Sequence, residues 1–210
     1  MPESDPVIYT IGHSHHPIDA FLGLLADHGI TCLIDVRSTP YSRIAPQFNK
    51  PALQKAVKQR QLLYAHFDQE FGARQTDSAL LDEEGIVDFD KVRAAPAFRN
   101  GVERLRRALA QGFTVCLMCA EANPFECHRF SMICRELERQ GLAVRHILKD
   151  SALATQQEIE GWMLQKYHKR LPQSSLFDGV VTAEQQLAFA YRLHNKEVGY
   201  RQDQEGEQYD

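Results

Sequence analysis

The chain has 210 residues, 43% hydrophobic and 25% charged, which is the composition of a globular domain with a full core plus an appendage. A formal net charge of −4 excludes a global basic footprint, so any contact with nucleic acid has to come from a local patch. No apolar run approaches the ~18 residues of a membrane helix, and the polar, acidic opening Met1–Asp5 does not read as a secretory leader.

Val7–Ile11 reads as a first strand that runs into Gly12-His13-Ser14. Ile18, Phe21, Leu22 and Leu25 follow at helical spacing, with Pro17 near the start and Gly29 as terminator. A second strand, Cys32–Val36, carries the carboxylate of Asp35 and leads into the polar loop 37–43. Asn49 is placed to cap a helix through Leu53, Ala56 and Val57, and Leu62–Phe67 is a third strand followed by the loop Glu70–Arg74. Residues 75–90 are polar and irregular and are expected to form a flap. Phe98, Val102, Leu105 and Leu109 mark another helix, closed by Gly112. Phe113–Met118 is a fourth strand ending at Cys119. Beyond it Asn123 as cap, Pro124 at the first helical position and Glu126 three residues past the cap predict a helix with Cys127, His128 and Arg129 near its first turn. Gly141 ends that helix, and Val144–Leu148 is a fifth strand.

Strands alternating with amphipathic helices predict an α/β fold, a mainly parallel five-stranded sheet flanked by helices over residues 1–150. After Lys149 the pattern becomes a helical extension over 151–201. Ile159, Trp162, Met163 and Tyr167 mark one helix, and Thr182 with Gln185 is a capping box opening another through Leu187, Tyr191 and Leu193. Residues 202–210 are acidic and expected to be a disordered tail. Five cysteines, an odd number lying in or beside apolar segments, predict reduced thiols and a cytoplasmic protein.

In an open parallel sheet, ligands bind beyond the carboxyl ends of the strands. Four strand ends here deliver chemistry: His13 and Ser14; Asp35, Arg37, Ser38 and Arg43; His66, Glu70 and Arg74; and Cys119, Glu121, Cys127, His128 and Arg129. Glu121 is the first choice as general acid or base, with Asp35, His13 and Cys119 beside it as catalytic candidates. Arg37, Ser38 and Arg43, together with Cys127, His128 and Arg129 at a helix start, form an anion-binding set. Each has a structural alternative. Asp35 can pair with Arg37, the arginines can be surface ion pairs, His13 and His66 can be core histidines, and Cys119 can be a small inert hydrophobe.

Two sharper readings fail on spacing. A cysteine phosphatase or sulfurtransferase loop needs an amide cradle that Glu121 and Pro124 spoil. Structural zinc needs paired C-x-x-C spacing that Cys119, Cys127 and His128 lack. With no Walker loop and no G-x-G-x-x-G, no cofactor is expected and no metal is assigned.

Ile11-Gly12-His13-Ser14, Asp35-Val36-Arg37-Ser38 with Pro40 and Ser42-Arg43, Phe48-Asn49, and Cys119-Ala120-Glu121 through Pro124 to Cys127-His128-Arg129 together resemble the signature blocks of the "domain of unknown function 488" family. The resemblance spans about residues 7–148. It implies a bacterial-type cytosolic α/β domain with those motif residues and no assigned activity. Gln173-Ser174-Ser175-Leu176-Phe177 resembles the bacterial sliding-clamp-binding pentapeptide, with Gln173, Leu176 and Phe177 as partner-binding residues. The alternative is that Leu176 and Phe177 pin the tail to the core.

The leading expectation is an enzyme, by hydrolysis or group transfer, acting on a phosphate-bearing substrate such as a nucleotide or nucleic acid and linked through the clamp to DNA replication or repair. One alternative is a non-catalytic nucleic-acid-binding adaptor in which the arginines, with Lys166, Lys169, Arg170, Trp162 and Tyr167, contact a single strand. The other is a metal-binding protein. No membrane partner is expected.

Overall fold

The structure, a computed structural model, describes residues 6–174 and 179–202. Its elements in chain order are β1 (Val7–Gly12), α1 (Ile18–Asp27), β2 (Cys32–Asp35), α2 (Lys50–Gln59), β3 (Leu63–His66), α3 (Asp68–Phe71), α4 (Phe89–Ala94) and α5 (Pro96–Ala110). There follow β4 (Val115–Cys119), a π-helical turn (Arg129–Cys134) continuous with α6 (Arg135–Arg139), β5 (Ala143–Ile147), β6 (Leu153–Thr155), α7 (Gln156–Tyr167) and α8 (Ala183–Val198).

The strands lie in the order β3-β2-β4-β1-β5-β6. The five expected strands are mutually parallel, and the short β6 adds an antiparallel sixth at the edge beside β5. β6 spans three residues, too few for a period-2 pattern to register in the sequence. β4 is buried along its whole length because it runs between β2 and β1 and is covered on both faces. Its side chains alternate accordingly. Val115, Leu117 and Cys119 join the core shared with Phe98, Val102, Leu105, Ile133 and Leu137, whereas Cys116 and Met118 join the one shared with Phe21, Leu25, Leu53 and Val57. All five cysteines are free and buried.

Two local expectations change. Residues 75–90 are no free flap: Leu81, Ile86, Val87 and Phe89 are buried, and the segment is bridged to the chain near its end through Tyr200 and Arg201. The polar residues between them hid that apolar anchor. The second change is the helix after β4. Asn123 caps only a single 3-10 turn, Pro124–Glu126, by accepting from the Phe125 N–H; Cys127 is extended, and the helix proper begins after it. Local capping chemistry is satisfied by one turn as well as by a long helix, so the signal misplaces the start by about four residues.

A third core, of Phe130, Ile159, Met163, Tyr167, Ala190 and Tyr191, holds α7 and α8 on the sheet's far edge. Both helices open with capping boxes, Thr155 with Glu158 and Thr182 with Gln185. A buried polar chain crosses this region. Thr10 Oγ1 is 2.8 Å from His146 Nδ1, His146 Nε2 is 3.0 Å from Gln156 Oε1, and Gln156 donates to the Tyr191 hydroxyl at 2.8 Å. Burial, and then the Arg129 guanidinium, lower the His146 pKa to about 3. The unfolded chain takes up this proton near pH ~6.5 and the folded chain does not. Stability should therefore fall with pH, by about 1.4 kcal/mol per unit for this group below pH ~6.5 until its folded pKa is reached. Urea denaturation of the wild type and His146→Gln between neutral and mildly acidic pH checks this. The variant should lose that part of the slope, and identical slopes would refute it.

Candidate functional site

The site is built first around Arg37. Asp35, the last residue of β2, is fully buried, and its carboxylate accepts from Arg37 Nε at 2.9 Å, Arg37 Nη2 at 2.6 Å, the Arg37 backbone N–H at 3.1 Å and the Tyr64 hydroxyl at 2.8 Å. Both of its oxygens are occupied, as a buried carboxylate requires. Arg37 Nη2 also donates to the Phe48 carbonyl at 2.8 Å, and Nη1 donates to His13 Nε2 at 3.0 Å. His13 Nδ1 donates to the Ser14 carbonyl at 2.8 Å, which fixes Nε2 as the acceptor. The ring stacks on Phe48 at 4.3 Å between centroids. Burial and the adjacent Arg37 charge lower the His13 pKa to about 4, so the imidazole is neutral at physiological pH. One carboxylate thus locks an arginine, and the arginine locks a histidine.

The second half lies at the end of β4. Cys119 Sγ donates to Glu121 Oε2 at 3.0 Å and stands 3.8 Å from His128 Nδ1, while Cys127 Sγ is 3.7 Å from the same nitrogen. His128 Nε2 donates to the Phe71 carbonyl at 3.1 Å, so Nδ1 faces both sulfurs. The Arg129 backbone N–H, at the helix start, points at Cys127 Sγ across 3.5 Å. The Arg129 side chain is fully buried and donates from Nη1 to the Glu121 carbonyl at 2.7 Å and from Nη2 to the Ala122 carbonyl at 3.1 Å. Among the described residues no carboxylate forms an ion pair with it. A buried cation needs nearby negative charge, and the Cys127 sulfur and Glu121 supply it. Burial opposes ionisation of Cys127, but the Cys119 hydrogen bond, Arg129 and His128 outweigh it and hold the thiol well below its ordinary value. Its neighbour goes the other way: the bond to Cys127, burial and the charges of Cys127 and Glu121 keep Cys119 well above.

These halves face each other across one cleft of about 260 Å³, whose lining includes His13, Arg37, Ser38, Arg74, Cys119 and Glu121. Gly12 makes the closure possible. A Cβ there would stand 1.8 Å from the Glu121 carbonyl oxygen, so only glycine lets β1 pass against the loop that carries Glu121.

Residues 17–134, more than half of the chain, match the model of the family described as the domain of unknown function DUF488. The chain belongs to the DUF488 family. No curated protein and no solved structure matches it. The matched span contains every motif residue of the cleft except those at the end of β1, including His13.

Within this DUF488 chain the predicted residues separate into groups. His13, Arg37, Ser38, Cys119, Glu121 and His128 line the cleft. Asp35 and Arg129 do not: both are buried behind it, the first positioning Arg37 and the second the Glu121 loop. Cys127 is also buried, and it precedes the helix rather than lying in its first turn. Arg43 is exposed and outside the cleft lining. His66 donates to the Arg37 carbonyl at 2.8 Å, and Glu70 is paired with Arg104. Gln173 is exposed, and Leu176 and Phe177 lie outside the described residues. Three contributors have no chemical signal in the sequence: the Phe71 carbonyl is a main-chain atom, Tyr64 has the pattern of an ordinary strand aromatic, and Phe48 carries no polar group.

Among the described residues no helix is long and apolar enough to cross a membrane.

Proposed function

We propose that this chain is an enzyme that transfers or hydrolyses a phosphate-bearing group in the strand-end cleft. The observation that carries this reading is the set of charged and titratable side chains that line the cleft together: Arg37, Ser38, Arg74, Cys119, Glu121 and His128. Arg37 is held by two hydrogen bonds to the Asp35 carboxylate, so it meets an anion without first being ordered. Glu121 carries its carboxyl at the cleft on a loop fixed by Arg129, within reach of a bound molecule. There it would take a proton from an attacking hydroxyl or water and return one to the leaving oxygen. About 260 Å³ accommodates a phosphoryl group with part of its leaving group, which favours a nucleotide or a nucleic-acid end over a duplex.

The adaptor reading has less support. Tyr167 is buried and unable to stack on a base, and Lys166 is paired with Glu197.

The test is turnover of a panel of phosphomonoesters, phosphodiesters and nucleotides by wild type and Glu121→Gln. Loss of an acid or base should cost roughly 10²–10⁴-fold in kcat with an unchanged Tm. Unchanged kcat on a substrate the wild type turns over would refute the role given to Glu121.

A further inference from the structure

The geometry points to a site for one borderline-soft divalent metal ion, of the zinc class, held by Cys119 Sγ, Cys127 Sγ and His128 Nδ1 with its open position toward Glu121 and the cleft. The three ligand atoms lie within 4.8 Å of one another. A tetrahedral ion bonded at about 2.3 Å to sulfur and about 2.0 Å to nitrogen sets each sulfur about 3.5 Å from the nitrogen. The two observed separations are 3.8 and 3.7 Å.

The surroundings fit the same purpose. His128 spends its Nε2–H on the Phe71 carbonyl, the kind of outer bond that orients a metal-bound imidazole and leaves the other nitrogen as the donor. The Arg129 N–H reaches Cys127 Sγ, so that thiolate already has a hydrogen-bond donor of its own. Two thiolates balance a divalent charge, and the buried Arg129 balances Glu121. Paired C-x-x-C spacing belongs to zinc held between two knuckles. Here the ligands come from a strand end and a helix start, which the fold brings together without it.

Three protein ligands with a fourth position open is the arrangement of a catalytic rather than a structural ion. Cys119, Glu121 and His128 all line the cleft, so that position opens where substrate would sit. The inference deepens the reading of the cleft as an active site and rests on it for the use made of the open position. The ion would polarise a phosphoryl oxygen or lower the pKa of a bound water, and Glu121 would take that water's proton.

The experiment uses the full chain purified under reductant, stripped with a chelator and titrated with Co²⁺. The expected result is about one Co²⁺ per chain, with a sulfur-to-cobalt charge-transfer band and the intense visible bands of a tetrahedral ion. X-ray absorption at the metal edge should find two sulfurs at about 2.3 Å, a measurement that needs no variant. Cys127→Ser and His128→Gln should weaken Co²⁺ binding by more than the roughly 10–100-fold that loss of an outer-sphere partner costs. No charge-transfer band with excess Co²⁺ on the reduced wild type, or a metal edge without sulfur, overturns the site. So does a Cys119–Cys127 disulfide whose reduction restores no metal binding. The two proposals fail separately. A Glu121→Gln protein that keeps both Co²⁺ and turnover sinks the acid/base role alone, and an active wild type that binds no metal sinks the metal site alone.

Discussion

Replacing Arg37 with methionine should lower the free energy of unfolding by about 3–5 kcal/mol, the usual cost of leaving one member of a buried ion pair without its partner. Asp35 is fully buried and takes two of its four hydrogen bonds from the Arg37 guanidinium, a third from the Arg37 main chain and the last from Tyr64. Methionine fills much of the same space but leaves Tyr64 as the remaining side-chain donor. His13 and the Phe48 carbonyl lose contacts as well. The double variant Arg37→Met/Asp35→Asn should recover part of the loss, because it removes the stranded charge. Urea denaturation of the three proteins at neutral pH decides the matter. A loss below about 1 kcal/mol for Arg37→Met would mean that the pair is solvated.

The second large effect is expected at Gly12. An alanine methyl would lie 1.8 Å from the Glu121 carbonyl oxygen, 2.5 Å from its carbon and 2.8 Å from Ala122 Cα, all main-chain atoms that no rotamer change can clear. The end of β1 must then separate from the loop after β4. That strains the His13 N–H to Cys119 and Ser14 N–H to Ala120 bonds of 2.9 and 2.8 Å, and moves the two carbonyls that Arg129 holds. The expected destabilisation is at or above the upper end of the about 1–3 kcal/mol typical of overpacking. Gly23 is the control. It lies in α1, where an added methyl group would meet nothing within 4 Å, so Gly23→Ala should be neutral or stabilising by up to about 1 kcal/mol. Equal Tm values for Gly12→Ala and wild type would refute the close approach.

The layers and the five parallel strands were legible because the apolar strands are long enough to stand out and the helices between them keep a clean 3.6 period. The strand-end rule then gathered His13, Arg37, Cys119 and Glu121 in advance, since direction and order of parallel strands settle which ends share a side. What could not be read was depth. Nothing in the spelling of Asp35-Val36-Arg37 or Cys127-His128-Arg129 says which charge faces a ligand and which is spent inside. Asp35 and Arg129 turned out to be supports, and Arg37 lies between the two roles. Spacing also counts against Cys119, Cys127 and His128 as one set, because it lacks the paired C-x-x-C pattern, yet the fold brings their ligand atoms within 4.8 Å of one another.

The π-helical turn at Arg129–Cys134 has a consequence of its own. Ile133 and Leu137 key the helix into the core, whereas His128 must point to the other sulfur-bearing segment. Each residue of an α-helix advances by about 100°, so the wider turn sets the angular phase between the anchored end and the reactive end. A chain of the same fold with one residue fewer in that turn would keep its packing and aim His128 elsewhere. Whether a protein of this architecture assembles the thiol–imidazole cluster is therefore decided by the length of six residues, not by the identity of the cluster alone.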